Sequence, residues 1–349
     1  MKTRIEKIDP LQLNKEKMDA AGQILQKGGL VAFPTETVYG LGANALDEEA
    51  AKKTYAAKGR PSDNPLIVHI ARMEDLPPIV REVPPKALRL AEAFWPGPMT
   101  LIFDKSDLVP YGTTGGLDTV AVRMPSDPVA AALIRAAGGY VSAPSANTSG
   151  RPSPTTAAHV QEDLEGKIDL ILDGGPVQIG VESTIVDMTV DPPMILRPGA
   201  VTREMLEEVV GEVAVDHTLL TADSKTPPKA PGMKYRHYAP KADLTVVEGR
   251  LEDVVAKICS LVEEKESCGK RTGIIATSET VDRYSHGNVK CIGTREDERT
   301  VAAHLYGILR EFDADGTDYI YSEAFARDGI GSAVMNRLLK AAGHHVIKI

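Results

Sequence analysis

Lys58-Gly59-Arg60-Pro61-Ser62-Asp63-Asn64-Pro65 runs straight into Leu66-Ile67-Val68-His69-Ile70. Upstream, a helix starting near Asp47, with Glu48 and Glu49 suited to the positive end of its dipole, is ended by Gly59. Two prolines and a glycine hold the following residues out of any helix, and the apolar run beyond them predicts a buried strand. Helix, stiff polar loop and buried strand together are the repeating unit of an α/β fold. Two cations and an amide on a rigid loop at a strand end suit the binding of a small charged ligand.

The same alternation extends in both directions. Met18, Ala21, Ile24 and Leu25 fall at helical spacing within 16–27, Gly28-Gly29 offers a cap, and Leu30–Phe33 reads as a short strand. Strands are predicted over 66–70, 99–103, 120–122, 140–143, 170–172, 183–187 and 194–196, with helices near 86–95, 127–137, 155–163 and 202–210. This interleaving predicts an α/β domain, 1–217, with a twisted mixed sheet. Residues 218–243 are proline-rich and read as an extended linker. Lys225, Lys229, Lys234, Arg236 and Lys241 outnumber Asp223 and Asp243 there, so the segment is locally basic and suited to an anion. Beyond it come strand 244–248, helix 251–265, strands 273–277 and 289–292, helix 296–311, strand 318–322 and helix 331–342, a small Rossmann-like domain over 244–349.

A chain of 349 residues fits two domains better than one. No run approaches a membrane span and no signal peptide is visible, so a cytoplasmic location is expected. Cys259, Cys268 and Cys291 carry neither a disulfide framework nor a metal-ligand spacing. The net charge of −9 argues against strong non-specific binding of nucleic acid.

Several strand borders carry chemistry. Gly40-Leu41-Gly42-Ala43-Asn44-Ala45 imitates a dinucleotide fingerprint, but Pro34–Tyr39 separates it from the preceding strand, so it reads as backbone approaching a ligand or another strand. Asp313–Asp318 places its glycine at the fourth position of a calcium-like loop, which excludes an EF-hand. Pro34-Thr35-Glu36-Thr37 puts two hydroxyls and a carboxylate after a buried strand. Arg123 ends the apolar run Thr119–Val122, where a guanidinium needs an acidic partner or an anionic ligand. The loop 142–153 is crowded with hydroxyls, and Arg197 closes a further strand. Several arginines and hydroxyls without a Cys–His or Ser–His–Asp arrangement suit phosphate chemistry by alignment and charge compensation.

Taken in order, Phe33–Leu41, Lys58–Leu66, Trp95–Thr100, Val122–Pro125, Ser142–Asn147, Glu182–Thr184 and Arg197–Gly199 resemble the threonylcarbamoyl-AMP synthase family, the YrdC-like proteins. Lys234–Pro240 resembles the linker of its long form, and the tail its second domain. The resemblance implies a YrdC-like fold and synthesis of threonylcarbamoyl-AMP and pyrophosphate from L-threonine, bicarbonate and ATP, with Mg²⁺ assisting. Thr37, His69, Arg123, Ala143 and Ser183 would line the threonine pocket. Arg60, Asn64, Thr119, Ser145, Ser153, Arg197, Tyr235 and His237 would hold ATP, and Lys58 with Arg60 would compensate charge in catalysis. The implied downstream partner is a tRNA-modifying transferase complex, with weak or no direct nucleic-acid binding and no membrane. The alternatives are an RNA-binding module of the same fold and carbamoyl transfer of the hydrogenase-maturation type, the latter disfavoured because acylphosphatase and zinc-finger segments are missing.

Overall fold

The computed structural model describes residues 2–216 and 237–349. The described residues form two compact units, one spanning the chain to 216 except Gly150–Pro152, the other comprising Gly150–Pro152 and the residues from 237 onward. Most of the expected linker, through residue 236, lies outside the described residues.

The first unit is organised on an eleven-stranded mixed sheet. Its strands are β1 (Arg4–Lys7), β2 (Val31–Phe33), β3 (Gly40–Asn44), β4 (Ile67–His69), β5 (Met99–Asp104), β6 (Thr119–Arg123), β7 (Val141–Ser142), β8 (Leu170–Asp173), β9 (Thr184–Asp187), β10 (Met194–Arg197) and β11 (Ala214–Val215). They lie in the order β1-β8-β2-β3-β7-β4-β6-β5-β9-β10-β11. Helices α1 (Lys15–Gln26), α2 (Glu48–Lys58), α3 (Pro85–Phe94), α4 (Tyr111–Thr114), α5 (Pro128–Ala136), α6 (Ala157–Leu164) and α7 (Arg203–Val210) complete the unit. Local signals fix several ends. The Asp47 carboxylate accepts from the Glu49 amide at the start of α2, and Gly59 ends the helix at φ 63°, a left-handed value that favours glycine. Asp127 caps α5 through the Val129 and Ala130 amides.

Three strands escaped the reading from residues alone: β1, β3 and the two-residue β11, which pairs in parallel with β10. β1 is a charged edge, Arg-Ile-Glu-Lys, held by parallel pairing with β8 rather than by an apolar run. The Gly40–Asn44 stretch is β3, antiparallel to β2. A side chain at Gly42 would meet a Phe33 ring carbon at 2.9 Å and the Val31 carbonyl at 3.0 Å, so the glycines serve strand-to-strand approach.

The second unit has a five-stranded sheet of β12 (Asp243–Glu248), β13 (Thr272–Ala276), β14 (Asn288–Cys291), β15 (Tyr319–Glu323) and β16 (Val346–Lys348). All neighbours are parallel, in the order β14-β13-β15-β12-β16. Helices α8 (Leu251–Ser267), α9 (Glu298–Asp315) and α10 (Gly331–Ala341) make the crossovers. Only the terminal strand β16 was not anticipated.

Candidate active site

The loop from β2 to β3 is shaped by Thr35. Its buried hydroxyl accepts from the Thr37 amide at 3.2 Å and the Val38 amide at 3.3 Å, and donates to the Val38 carbonyl at 2.7 Å. The Ile179 and Gly180 amides bind the carbonyls of Glu36 and Thr37. These bonds hold Glu36 and Thr37 against the end of β6, where Arg123 is only 4% exposed.

Arg123 donates through Nη1 to Thr37 Oγ1 at 2.9 Å, through Nη2 to Glu36 Oε1 at 2.7 Å and through Nε to the Gly97 carbonyl at 3.4 Å. A guanidinium carries five N–H groups, so two are unspent among the described residues. Such a fork matches a carboxylate. Two residues stand directly opposite Arg123 on its neighbouring strands, His69 on β4 and Thr100 on β5. Directly opposed residues share a face of the sheet, so imidazole, guanidinium and hydroxyl form one row.

His69 is buried, with Nδ1 3.1 Å from the Ile67 carbonyl. A carbonyl only accepts, so Nδ1 carries the proton and Nε2 is left as an acceptor. Burial, reinforced by the nearby Arg123 charge, pushes the His69 pKa down to about 3, which keeps the ring neutral.

Ser183 continues the row. Its hydroxyl lies 2.8 Å from that of Thr100 and accepts from Arg197 Nη2 at 3.1 Å, while Arg197 Nε donates to the Ser183 carbonyl at 3.0 Å. Residues expected for threonine and for ATP are therefore bonded to each other here. Ala143, just past β7, donates its amide to the Ile67 carbonyl at 2.9 Å and packs beside Gly40.

The Lys58–Pro65 stretch is held from within. Arg60 donates to the carbonyls of Asn64 at 3.2 Å and Pro65 at 3.0 Å, closing its own loop. Asn64 is 1% exposed, and its Oδ1 has no partner among the described residues. Lys58 is equally buried and directs Nζ at the Ser145 carbonyl, the Asn147 carbonyl at 2.5 Å and Asn147 Oδ1 at 3.4 Å. Ser145 Oγ donates to Asn147 Oδ1 at 2.5 Å. Both cations, expected to compensate charge in catalysis, also bond carbonyls of the protein's own loops, as a buried charge requires. Ser153 donates to Glu182 Oε1 at 2.6 Å, and Thr119 opens β6 opposite Asp104. His237 belongs to the second unit, its ring 5.5 Å from that of Tyr238. Tyr235 lies outside the described residues.

Glu36, Thr100, Asn147 and Glu182 were absent from the expected site. Glu36 sits in a stretch conspicuous for its hydroxyls and carboxylate, and Arg123 demanded an acid, but nothing local says which acid it takes.

The domain described as "Telomere recombination", the Sua5/YciO/YrdC model, matches residues 23–199, and the C-terminal domain of threonylcarbamoyl-AMP synthase matches residues 201–343. The chain belongs to the threonylcarbamoyl-AMP synthase family in its long, two-domain form. Among its relatives are the threonylcarbamoyl-AMP synthases of Pyrococcus abyssi, 49% identical over 97% of each chain, and of Bacillus subtilis, 49% identical over 100% of each. The solved structure of P. abyssi Sua5 complexed with L-threonine is 47% identical, with a TM-score of 0.95 over 99% of this chain and 100% of that one. Among the described residues, no helix is long and apolar enough to cross a membrane.

Proposed function

We propose that this enzyme is an L-threonylcarbamoyladenylate synthase, a nucleotidyltransferase acting early in tRNA threonylcarbamoyladenosine formation. The observation that carries the reading is the buried Arg123, with two N–H groups unspent, set in one row with neutral His69 and with the Thr100–Ser183–Arg197 chain. Full-length likeness to named synthases supports the same reading.

The threonine carboxylate takes the free edge of Arg123, and its β-hydroxyl lies among Thr37, His69 and Ser183, where His69 Nε2 accepts. Arg60, Arg197 and the Asn64 amide serve ATP, with Thr119, Ser145 and Ser153 shaping the nucleotide side. Lys58 acts as a positioning residue through the turn it holds at 145–147. A carbamate oxygen of threonylcarbamate attacks the α-phosphorus, pyrophosphate leaves, and no protein nucleophile is needed. Catalysis is then alignment and charge compensation.

Among the described residues no three carboxylate, imidazole or thiolate groups converge. Mg²⁺ would be carried by the triphosphate, where it would offset phosphate charge. We assign the downstream transferase as consumer of the product; the expected linker through residue 236, with Tyr235, lies outside the described residues.

Pyrophosphate release from ATP, with threonine and bicarbonate omitted in turn, tests the reading. Release should need all three substrates. Release without threonine would overturn it. The RNA-module alternative predicts a steep salt dependence of tRNA retention on filters.

A further inference from the structure

Threonine enters as a zwitterion, and its α-ammonium must lose a proton before nitrogen can attack the carbon of bicarbonate. The site therefore needs a proton acceptor beside the carboxylate-binding fork. His69 is poorly matched, because burial holds its ring far from protonation. Asp127 is committed to capping α5, with Oδ1 accepting from two amides. Glu182 already accepts from Ser153.

Glu36 differs from all of these. It is 7% exposed, one oxygen is bound to Arg123, and Oε2 is buried with no hydrogen-bond partner among the described residues. An open buried carboxylate oxygen is costly unless a ligand completes it. The adjacent cation and anion of Arg123 and Glu36 are complementary to the carboxylate and ammonium of an α-amino acid.

We propose that Glu36 receives the threonine ammonium through Oε2 and is the general base for carbamate formation, an inference that rests on the synthase reading above. In the first step R–NH₃⁺ gives a proton to the Glu36 carboxylate, leaving R–NH₂ and the carboxylic acid. The amine lone pair then forms the N–C bond to bicarbonate, and the C–OH bond breaks. R–NH₂ and HCO₃⁻ thus become R–NH–COO⁻ and water, the second amine proton leaving with the hydroxide. Glu36 returns its proton to solvent before the next turnover.

The test uses the full-length enzyme and its Glu36→Gln variant, in which the amide oxygen can still accept from Arg123. Two rates are measured on each sample: pyrophosphate release from ATP, threonine and bicarbonate, and ATP formation from threonylcarbamoyl-AMP and pyrophosphate. The second contains no amine deprotonation. Forward synthesis should fall at least about 10²-fold further than ATP formation, the range for loss of a general base. Because both rates come from one sample, their ratio does not depend on the folded fraction. Equal losses in the two directions, or an undiminished forward rate, would overturn the role of Glu36. A wild-type enzyme that makes no ATP from threonylcarbamoyl-AMP would instead overturn the synthase reading.

Discussion

Each unit sets an arginine against a buried carboxylate at a strand end, with Arg123 buried and Arg295 partly exposed, and the two pairs are finished differently. In the second unit Glu323, fully buried at the end of β15, uses both oxygens. Oε2 takes Arg295 at 2.6 Å, and Oε1 takes Thr280 at 2.5 Å and Tyr284 at 2.8 Å. Burial, with the Glu323 charge beside it, pushes the Tyr284 phenol well above its ordinary range, so it stays a donor. In the first unit Glu36 satisfies one oxygen on Arg123 and leaves the other open. A carboxylate saturated by protein donors belongs to the architecture, whereas one left half-saturated in a buried place has capacity for a ligand.

The comparison breaks most readily at Arg123. Arg123→Ala should lower kcat/KM for threonine by roughly 10³-fold, the scale for truncating one partner of a buried hydrogen-bonded charge pair. Arg123→Lys should recover little of this, since a point charge cannot replace the planar fork. Steady-state pyrophosphate release at varied threonine measures both, and near wild-type values would remove Arg123 from the site. The mirror experiment is Glu323→Ala, which should cost about 3 kcal/mol in urea unfolding because the buried Thr280 and Tyr284 hydroxyls lose their acceptor and Arg295 its counter-charge. Its kcat/KM per folded enzyme should match the wild type. A selective loss of activity there would erase the distinction between the two pairs.

A smaller loss is expected at Lys58. Its ammonium ties together the carbonyls of Ser145 and Asn147, 87 and 89 residues away. Lys58→Met should lower the rate by about 10²-fold through displacement of that turn, the effect of small misalignments on reacting groups. A change confined to stability, with normal kinetics, would reduce Lys58 to a fold determinant.

Lys58 also shows where reading the sequence stops. Its neighbours announce a stiff cationic loop, because Gly59, Pro61 and Pro65 restrict the backbone locally. Whether the ammonium faces phosphate or a carbonyl depends on residues nearly ninety positions later. Arg123 was conspicuous for the same local reason, a cation ending an apolar strand, but Glu36 lies 87 positions before it. The row of His69, Arg123 and Thr100 is a matter of register, set by the pairing of β4, β6 and β5. Registers follow from the packed faces of several strands at once, and no single stretch specifies them. Helices and apolar strands were legible because their periodicity is local. β1, β3, β11 and β16 were hidden because pairing outweighs the propensities of charged, glycine-rich, very short or terminal segments.

His69 gives the gentlest test. An unfolded histidine takes up a proton as pH falls through 6.5, while the folded ring resists until about 3. Between those values the unfolded state binds more protons, so stability is lost on acidification, by at most about 1.4 kcal/mol per pH unit from this one group. His69→Gln removes the titration, and its stability in urea should fall less steeply than the wild type's between pH 6.5 and 5. Identical slopes would mean that the ring protonates in the folded protein. The Nε2 acceptor assigned to the threonine hydroxyl would then be lost on the acid side, and kcat/KM for threonine would fall with it instead of staying level through 6.5.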